Sequence, residues 1–205
     1  MNLPNKITIA RILMIPLFIA AFFLNGLDAL RVEGISLAYA IATGVFVIAA
    51  CTDFVDGYIA RKYKLVTNLG KFLDPIADKV LVSTAMILLV TMKEELLRGW
   101  VSCDGVYVAF VVCVCVIMAR ELIISAFRQV AATRGLVLAA DKLGKYKTVF
   151  QDVSIAVLLA SASIPALAGE IICYVGLGLF VVATVLTVWS GIAYVVNNKQ
   201  VLKDE

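Results

Sequence analysis

Long apolar stretches separated by short polar segments dominate the hydrophobic pattern of this chain. A helix of about 20 mostly apolar residues crosses the hydrocarbon core of a bilayer. Six stretches meet that length, at roughly residues 9–27, 35–60, 75–93, 105–133, 148–166 and 170–197. The breaks between them carry Gly26, Gly34, Gly99, Gly105, Pro165 and Gly169. The pattern predicts an all-α integral membrane protein with six transmembrane helices and a short N-terminal interfacial segment.

Composition supports this interpretation and narrows the chemistry. Of the 205 residues, 62% are hydrophobic, whereas a soluble domain is about half apolar. The apolar stretches leave no room for a second domain, so we expect a single membrane domain over residues 1–205. The chain contains no histidine, which excludes Ser-His-Asp hydrolases, His-ligated metals and His general bases. Any acid–base or metal chemistry must therefore use carboxylates.

The basic residues are distributed unequally between the two sides of the predicted bundle. One side would carry only Arg31, Lys93 and Arg98. The other side, which holds both termini, would carry Lys6, Arg11, Arg61, Lys62, Lys64, Lys71, Arg134, Lys142, Lys145, Lys147, Lys199 and Lys203. The positive-inside rule therefore predicts that both termini are cytoplasmic. Because the net charge is only +3, the pattern favours a surface that faces lipid headgroups and no binding of nucleic acid.

Four aspartates lie where two apolar stretches approach the same membrane face. Asp53 and Asp56 end the second stretch, and Asp74 and Asp78 begin the third. An ionised side chain at membrane depth costs roughly 2.5–3.5 kcal/mol, so such a group persists only with a cationic partner. At about 100° per residue, each pair shares one helix face. The connecting segment is short and basic, so the two helices pack antiparallel and both faces can converge on one cytoplasmic cavity.

Oxygen-only ligands of this kind suit hard cations, Mg²⁺ or Mn²⁺. Two such ions about 4 Å apart can bind both oxygens of a phosphoryl displacement. The alternative is that the aspartates form ion pairs with Arg61, Lys71 and Lys79. Gly57 and Ala60 beside the carboxylates either leave room for a ligand or pack helices together, and Gly70 is either part of the site or a helix boundary.

The spacing of these residues resembles a family signature. The order Asp53-x2-Asp56-Gly57-x2-Ala60-Arg61-x8-Gly70-x3-Asp74-x3-Asp78 matches the CDP-alcohol phosphotransferases at all eight defining positions. Three shorter motifs look like the bacterial phosphatidylglycerophosphate synthases of that family: Asn5-x-x-Thr8-x-x-Arg11, Arg120-Glu121, and Leu143-Gly144-Lys145-Tyr146-Lys147-Thr148. The flanking motifs favour this branch over relatives that use serine, inositol phosphate, choline or ethanolamine.

The resemblance implies a reaction and roles. Asp53, Asp56, Asp74 and Asp78 would hold two divalent cations on the pyrophosphate of CDP-diacylglycerol. Asp78 would also be the general base that activates the acceptor hydroxyl, after which the acceptor oxygen attacks the β-phosphorus and CMP leaves. The nucleotide would lie against Gly57, Ala60, Arg61 and Gly70. The resemblance also implies a homodimer in the bacterial cytoplasmic membrane, with an active site that opens to the cytoplasm.

The acceptor is expected to be glycerol 3-phosphate, an anion that needs fixed positive charge near the aspartates. Arg120 lies deep in the fourth stretch, where an unpaired guanidinium is costly. The other candidate acceptor residues lie towards the cytoplasmic face: Thr8, Arg11, Lys142, Lys145 and Lys147. The alternative is that Arg120 pairs with a membrane carboxylate and that the lysines only set topology.

Other functions remain open. A sister enzyme would use another acceptor, as a cardiolipin synthase, a phosphatidylinositol phosphate synthase or a phosphatidylserine synthase does. An intramembrane prenyltransferase also places aspartates and Mg²⁺ on a pyrophosphate, and a small transporter would bind a cation without catalysis. Release of CMP from CDP-diacylglycerol separates these classes.

Overall fold

The computed structural model describes residues 2–24, 31–32, 35–63, 67–96, 104–133 and 142–202. Within this part the chain is almost entirely helical. The elements in order are α1 (Leu3–Phe23), β1 (Arg31–Val32), β2 (Ile35–Ser36), α2 (Leu37–Lys62), α3 (Asn68–Thr91), α4 (Lys93–Leu96), α5 (Asp104–Thr133), α6 (Lys142–Ser163), α7 (Ala166–Asn197) and a 3-10 turn (Lys199–Leu202). The two short strands pair antiparallel, and the all-α class is confirmed.

Six of these helices are long, and each corresponds to one predicted apolar stretch. Three are long and apolar enough to cross a membrane by length and composition: α1 from Asn5, α5 and α7. Helix α2 contributes a shorter apolar portion, Leu37–Asp53. The chain is thus a membrane protein with three clear candidate spans, and the count of six spans stays a prediction.

Helices α1, α3, α6 and α7 begin several residues before the predicted apolar stretches, and the early starts of α3 and α6 bear on the site. Helix α3 begins at Asn68 because the Thr67 side chain caps it, accepting a hydrogen bond from the Gly70 amide at 3.0 Å. Helix α6 begins at Lys142, before the apolar stretch that starts near residue 148. Hydropathy does not detect these first turns because they are polar. The interfacial segment expected before the first span is the first turn of α1 itself, which is continuous from Leu3.

Packing brings the long helices around one core. Helix α1 lies against α2 and α3, α2 lies against α6, and α5 lies against α7. The Phe18 and Phe46 rings join α1 to α2 with centroids 5.9 Å apart, and Phe110 and Phe180 join α5 to α7 at 4.8 Å. These aromatic pairs fix the helices whose polar ends form the site described below.

The α6–α7 hairpin is the tightest contact in the bundle. Pro165 precedes α7, and a Cβ atom at Gly169 would lie 2.2 Å from the Ile164 carbonyl oxygen. Two helical turns further along α7, a Cβ atom at Gly176 would lie 2.8 Å from the Leu158 side chain. Both glycines therefore allow the two helices to approach closely, and Gly169 lies inside α7 rather than at a break.

The outer surface carries many large apolar side chains, as expected for contact with lipid. Leu122, Trp189 and Leu13 are 70%, 68% and 66% exposed, and they lie on α5, α7 and α1. Apolar exposure around a whole bundle, combined with buried polar groups, is typical of a membrane protein.

Candidate active site

A cavity of about 600 Å³ opens between α2, α3, α5, α6 and α7. Its lining includes many ionisable and polar side chains. The ionisable and polar residues around it are Arg11, Asp53, Asp74, Asp78, Lys79, Arg120, Glu121, Ser125, Arg128, Lys145, Lys147, Thr148, Asp152, Ser190 and Tyr194. Carboxylates and cations therefore share one chamber, which is the arrangement required to bind a metal-associated polyphosphate and an anionic co-substrate together.

Three of the four predicted metal-binding aspartates line this cavity. Asp53 enters it from α2, while Asp74 and Asp78 enter from α3, four residues apart and so on one face of the helix. Asp78 makes no hydrogen bond to another side chain that the structure describes. The backbone of Asp56 lies on α2, but its side chain lies outside the described residues.

Helix α1 supplies the groups that hold two of these carboxylates. Arg11 is fully buried, and its NH1 atom donates to Asp53 Oδ1 at 2.7 Å while its Nε atom donates to Thr52 Oγ1 at 3.2 Å. One turn earlier, Thr8 Oγ1 donates to Asp74 Oδ1 at 2.7 Å. A buried guanidinium needs a charged partner, so the pair fixes the position of α1 against α2 as well as the orientation of Asp53.

The donor chemistry of these aspartates fits a hard divalent cation. Asp53, Asp74 and Asp78 offer only oxygen atoms, and Asp53 keeps 44% of its side chain exposed towards the cavity. Among the described residues, which exclude the Asp56 carboxylate, no three ligating side chains form a closed metal site.

The cationic part of the cavity is organised around Glu121. Arg120 NH1 donates to Glu121 Oε1 at 3.1 Å, and Lys147 Nζ donates to the same oxygen. Arg120 NH2 donates to Ser190 Oγ at 2.9 Å, and its stem packs on Gly191 of α7. The Nε atom of Arg120 is buried and has no partner among the described side chains. Described side chains therefore use two of the five N–H donors of this guanidinium, and its Nε donor is among those left without a described partner.

The structure places some of the remaining predicted site residues at the cavity and others away from it. Gly57 and Lys145 line the cavity. Gly70 is buried, and a Cβ atom there would lie 3.0 Å from Asn5 Oδ1, so its position favours the helix-boundary alternative. Thr8 is 1% exposed and binds Asp74 rather than the open chamber. The side chains of Ala60, Arg61 and Lys142 lie outside the described residues.

The polar residues of α6 and α7 that were not predicted at the site include Gln151, Asp152, Ser190 and Tyr194. Asp152 and Tyr194 line the cavity, and Gln151 lies just behind it. Arg128 of α5 donates to Tyr194 OH at 3.2 Å and lies 5.2 Å from the centre of its ring. The cost of a charge at membrane depth, applied above to Asp53, also applies to Asp152 within the fifth apolar stretch, and that signal identifies it.

Known proteins resemble this chain along nearly all of its length. The CDP-diacylglycerol–glycerol-3-phosphate 3-phosphatidyltransferase of Bacillus subtilis (strain 168) is 42% identical over 98% of this chain and 97% of its own length. The protein of that name from Rickettsia felis is 36% identical over 94% of this chain and 93% of its own length. The CMP-forming cardiolipin synthase of Oryza sativa subsp. japonica is 36% identical over 95% of this chain, which is 56% of the rice protein.

A family model gives the same result independently of any single relative. The model of the CDP-alcohol phosphatidyltransferases matches residues 1–192, which include every residue named around the cavity except Tyr194. The chain belongs to the CDP-alcohol phosphatidyltransferase family.

Proposed function

We propose that this protein transfers the phosphatidyl group of CDP-diacylglycerol to sn-glycerol 3-phosphate and releases phosphatidylglycerophosphate and CMP. The observation that carries the proposal is the single cavity in which Asp53, Asp74 and Asp78 lie together with Arg120, Lys145 and Lys147. The names of the Bacillus subtilis and Rickettsia felis relatives support the same reaction. A lipid donor accounts for a polar chamber inside an apolar bundle.

On the donor side, Asp53, Asp56, Asp74 and Asp78 would hold two divalent cations, Mg²⁺ or Mn²⁺. The family is generally dependent on divalent cations, and oxygen-only donors on two adjacent helices fit them. When bound, the cations would neutralise the pyrophosphate and stabilise the charge that develops on the leaving phosphate. Arg11 would keep the Asp53 carboxylate oriented, and Thr8 would do the same for Asp74. Helix α1 would therefore contribute indirectly, by orienting the carboxylates that hold the cations.

The nucleotide end of the donor would lie beside the small residues of α2. Gly57 borders the cavity, and Ala60 and Arg61 follow it on the same helix towards the end of α2. Absence of a bulky side chain at Gly57 leaves space for a ring or a ribose against the backbone. Gly70 is also part of the family signature. Its close packing against Asn5 supports a structural role for it at the beginning of α3.

On the acceptor side, Arg120, Lys145 and Lys147 would bind the phosphate of glycerol 3-phosphate. Arg120 has a free Nε atom, and Lys145 is exposed at the cavity edge. Lys142 would extend this positive region at the start of α6. Arg11, also expected at the acceptor, is already committed to Asp53 and Thr52, so its contribution would be indirect. Arg can donate two hydrogen bonds to a phosphate, while Lys acts as a point charge.

The reaction would use Asp78 as the general base. Asp78 lines the cavity without a side-chain hydrogen bond from any described residue, so a lone pair is available for the proton of the acceptor hydroxyl. The freed oxygen forms a bond to the β-phosphorus, the bond from that phosphorus to the bridging oxygen breaks, and CMP leaves with that oxygen. A base at this position contributes about 10²–10⁴-fold to the rate.

The proposal places the protein in a bacterial cytoplasmic membrane as one domain over residues 1–205, with six spans and both termini in the cytoplasm. Helices α2, α3 and α6 have 26, 24 and 22 residues, which meets the length required to span. A homodimer is proposed as the working assembly. The active site would then open to the cytoplasm, where glycerol 3-phosphate and CMP are soluble.

A second candidate is a cardiolipin synthase reaction, which the rice relative favours. Its acceptor would be phosphatidylglycerol, whose phosphate is a diester inside the lipid. The cavity favours the first candidate because Arg120, Lys145 and Lys147 carry three positive charges against the one carboxylate, Glu121, that Arg120 and Lys147 share, which leaves more positive charge than a singly charged diester requires.

The deciding experiment measures CMP release from CDP-diacylglycerol by purified protein with a panel of acceptors. Glycerol 3-phosphate should release CMP at least about 10-fold faster than phosphatidylglycerol, serine, inositol or glycerol. Excess chelator should abolish the release, and Mg²⁺ or Mn²⁺ should restore it. Equal rates with serine or inositol would disprove the acceptor assignment, and full activity in chelator would disprove the use of divalent cations.

A further inference from the structure

A small side chamber of about 40 Å³ lies behind the main cavity, between α3, α5 and α6. Its polar lining includes Asp78, Lys79, Lys147, Gln151 and Asp152, and Met86 lies at its apolar end. Asp78, Lys79, Lys147 and Asp152 also line the main cavity. The side chamber therefore shares part of its lining, including Asp78, with the main cavity.

Two acceptor atoms in this region have no partner among the described residues. Gln151 is 3% exposed, and its amide Nε2 donates to the Met86 sulfur at 3.8 Å, which leaves its Oε1 atom unpaired. Asp152 Oδ1 is likewise buried and unpaired. Buried polar atoms without a partner are rare in folded proteins and call for a ligand or a bound water.

The unpaired atoms restrict what can satisfy them. Lys79 and Lys147 border the chamber together with Asp78, Glu121 and Asp152, so both signs of charge are present and charge alone selects no ligand. Both unpaired atoms are hydrogen-bond acceptors. The group that satisfies them is consequently a hydrogen-bond donor, and among the groups of glycerol 3-phosphate that is a hydroxyl.

We propose that Gln151 and Asp152 accept hydrogen bonds from the acceptor hydroxyl that does not react, so that they determine specificity for a vicinal diol phosphate. This inference rests on the proposed function. The chamber of about 40 Å³ has space for a hydroxyl, since a site for a single water needs roughly 10–15 Å³. With the reacting hydroxyl at Asp78, the hydroxyl on the adjacent carbon lies next to the side chamber. The phosphate then lies towards Lys147 and Arg120.

The specificity follows from the cost of an unfilled chamber. An acceptor without the second hydroxyl leaves both buried oxygen atoms unpaired during the reaction, whereas glycerol 3-phosphate pairs them. Sites that hydrogen-bond a substrate hydroxyl discriminate strongly against analogues that lack it. The informative analogue is 3-hydroxypropyl phosphate, which keeps the phosphate and the reacting primary hydroxyl but has no hydroxyl on the central carbon.

The first measurement needs no variant. CMP release by the parent protein is followed with glycerol 3-phosphate and with 3-hydroxypropyl phosphate at saturating CDP-diacylglycerol. We expect kcat/KM to be at least about 100-fold higher for glycerol 3-phosphate. A parent protein that uses both acceptors equally well would overturn the inference and leave the proposed function standing, with only water in the chamber. No CMP release with glycerol 3-phosphate would instead overturn the proposed function.

The second measurement assigns the discrimination to these residues. Gln151→Met and Asp152→Leu remove the acceptor oxygens at similar volume, and each should lower the ratio of the two kcat/KM values about 10-fold or more. Asp152→Asn keeps an oxygen atom and should retain more of the ratio than Asp152→Leu. The matched control is Val153→Met, because Val153 is adjacent on α6 but 45% exposed on the outer surface.

A merely structural role predicts a different result. If Gln151 and Asp152 only stabilise α6, their variants lower kcat/KM for both acceptors by the same factor and the ratio is unchanged, which overturns the inference. Thermal unfolding in detergent, measured for all four variants, identifies any loss of folded protein. Such a loss acts equally on both acceptors, so the ratio remains a valid readout.

Discussion

At the scale of single residues, Arg11 and Arg120 are the most buried of the described arginine side chains that line the cavity. Arg11 is fully buried and donates to Asp53 and Thr52. Arg120 pairs with Glu121 and Ser190 but keeps its Nε atom free. The first therefore acts on the protein, by orienting a carboxylate, and the second has a donor left for a substrate. Their substitutions should differ accordingly.

Replacing Asp78 tests the base directly. Asp78→Asn keeps the shape of the side chain but cannot accept the proton, so kcat should fall by about 10²–10⁴-fold while the protein stays folded. The measurement is single-turnover CMP release together with thermal unfolding in detergent. The matched control is Asp104→Asn, whose carboxylate pairs with Lys93 at the start of α5 and should leave kcat unchanged. Near-normal turnover in Asp78→Asn would show that this carboxylate is not essential.

Replacing Arg120 tests the acceptor site. Arg120→Gln removes the charge and the free Nε donor, so KM for glycerol 3-phosphate should rise about 10-fold or more, the equivalent of one charge-assisted hydrogen bond. KM for CDP-diacylglycerol should change by less than about 3-fold, because the donor is expected at the aspartates. Lys93→Gln, a cation that does not line the cavity, is the control. Equal increases in both KM values would place Arg120 at the donor instead.

The aspartates could be located from sequence, while several of their partners could not. Helical spacing alone places Asp74 and Asp78 on one face. Thr8 was expected at the acceptor and Gly70 at the nucleotide; in the structure Thr8 donates a hydrogen bond to Asp74 and Gly70 packs on Asn5. The Thr8–Asp74 contact joins α1 to α3 across 66 residues of sequence, and the Asn5–Gly70 contact joins the same two helices. No local sequence pattern encodes either contact. Only the three-dimensional packing shows which polar residue faces the cavity.

At the scale of helices, the predicted elements are correct and the errors lie at their ends. Hydropathy finds the apolar part of α3 but not its first turns, which contain Lys71 and Asp74 and begin at the Thr67 cap. The same holds for α6, whose first two turns contain Lys145 and Lys147. These polar turns are the ones that reach the cavity. The polar residues that form the site therefore lower the hydropathy of these first turns, so a hydropathy pattern does not detect where the helices begin.

The α6–α7 hairpin offers a test at this scale. Gly169→Ala would place a Cβ atom 2.2 Å from the Ile164 carbonyl oxygen, so the backbone must shift and the protein should lose about 1–3 kcal/mol of stability. Gly178 lies in the same helix with no atom within 4 Å of a built Cβ, so Gly178→Ala is the matched control and should be neutral or slightly stabilising. The measurement is the Tm of each variant in one detergent. Equal Tm values would contradict the close packing at Gly169.

At the scale of the whole molecule, the apolar surface and the polar chamber determine how the bundle sits in a membrane. The outer faces of α1, α5 and α7 are apolar, and these helices meet the criterion for a span. Helices α2, α3 and α6 contribute Asp53, Asp78 and Lys147 to the chamber, which lowers their hydropathy. Their lengths nevertheless match those of a span. A charged cavity is tolerated at this depth because the surrounding helices shield it from lipid.

The topology that follows can be tested with reporters. Six spans place the end of the chain after residue 205 on the same side as its beginning, and the basic residues place that side in the cytoplasm. A green fluorescent protein fused after residue 205 should fluoresce, and alkaline phosphatase fused there should be inactive. Alkaline phosphatase inserted within residues 97–103, between α4 and α5, should be active. If only α1, α5 and α7 crossed the membrane, the two ends of the chain would lie on opposite sides. A beginning and an end that report opposite compartments would therefore reject the six-span arrangement and, with it, a cytoplasmic active site formed by α2, α3 and α6.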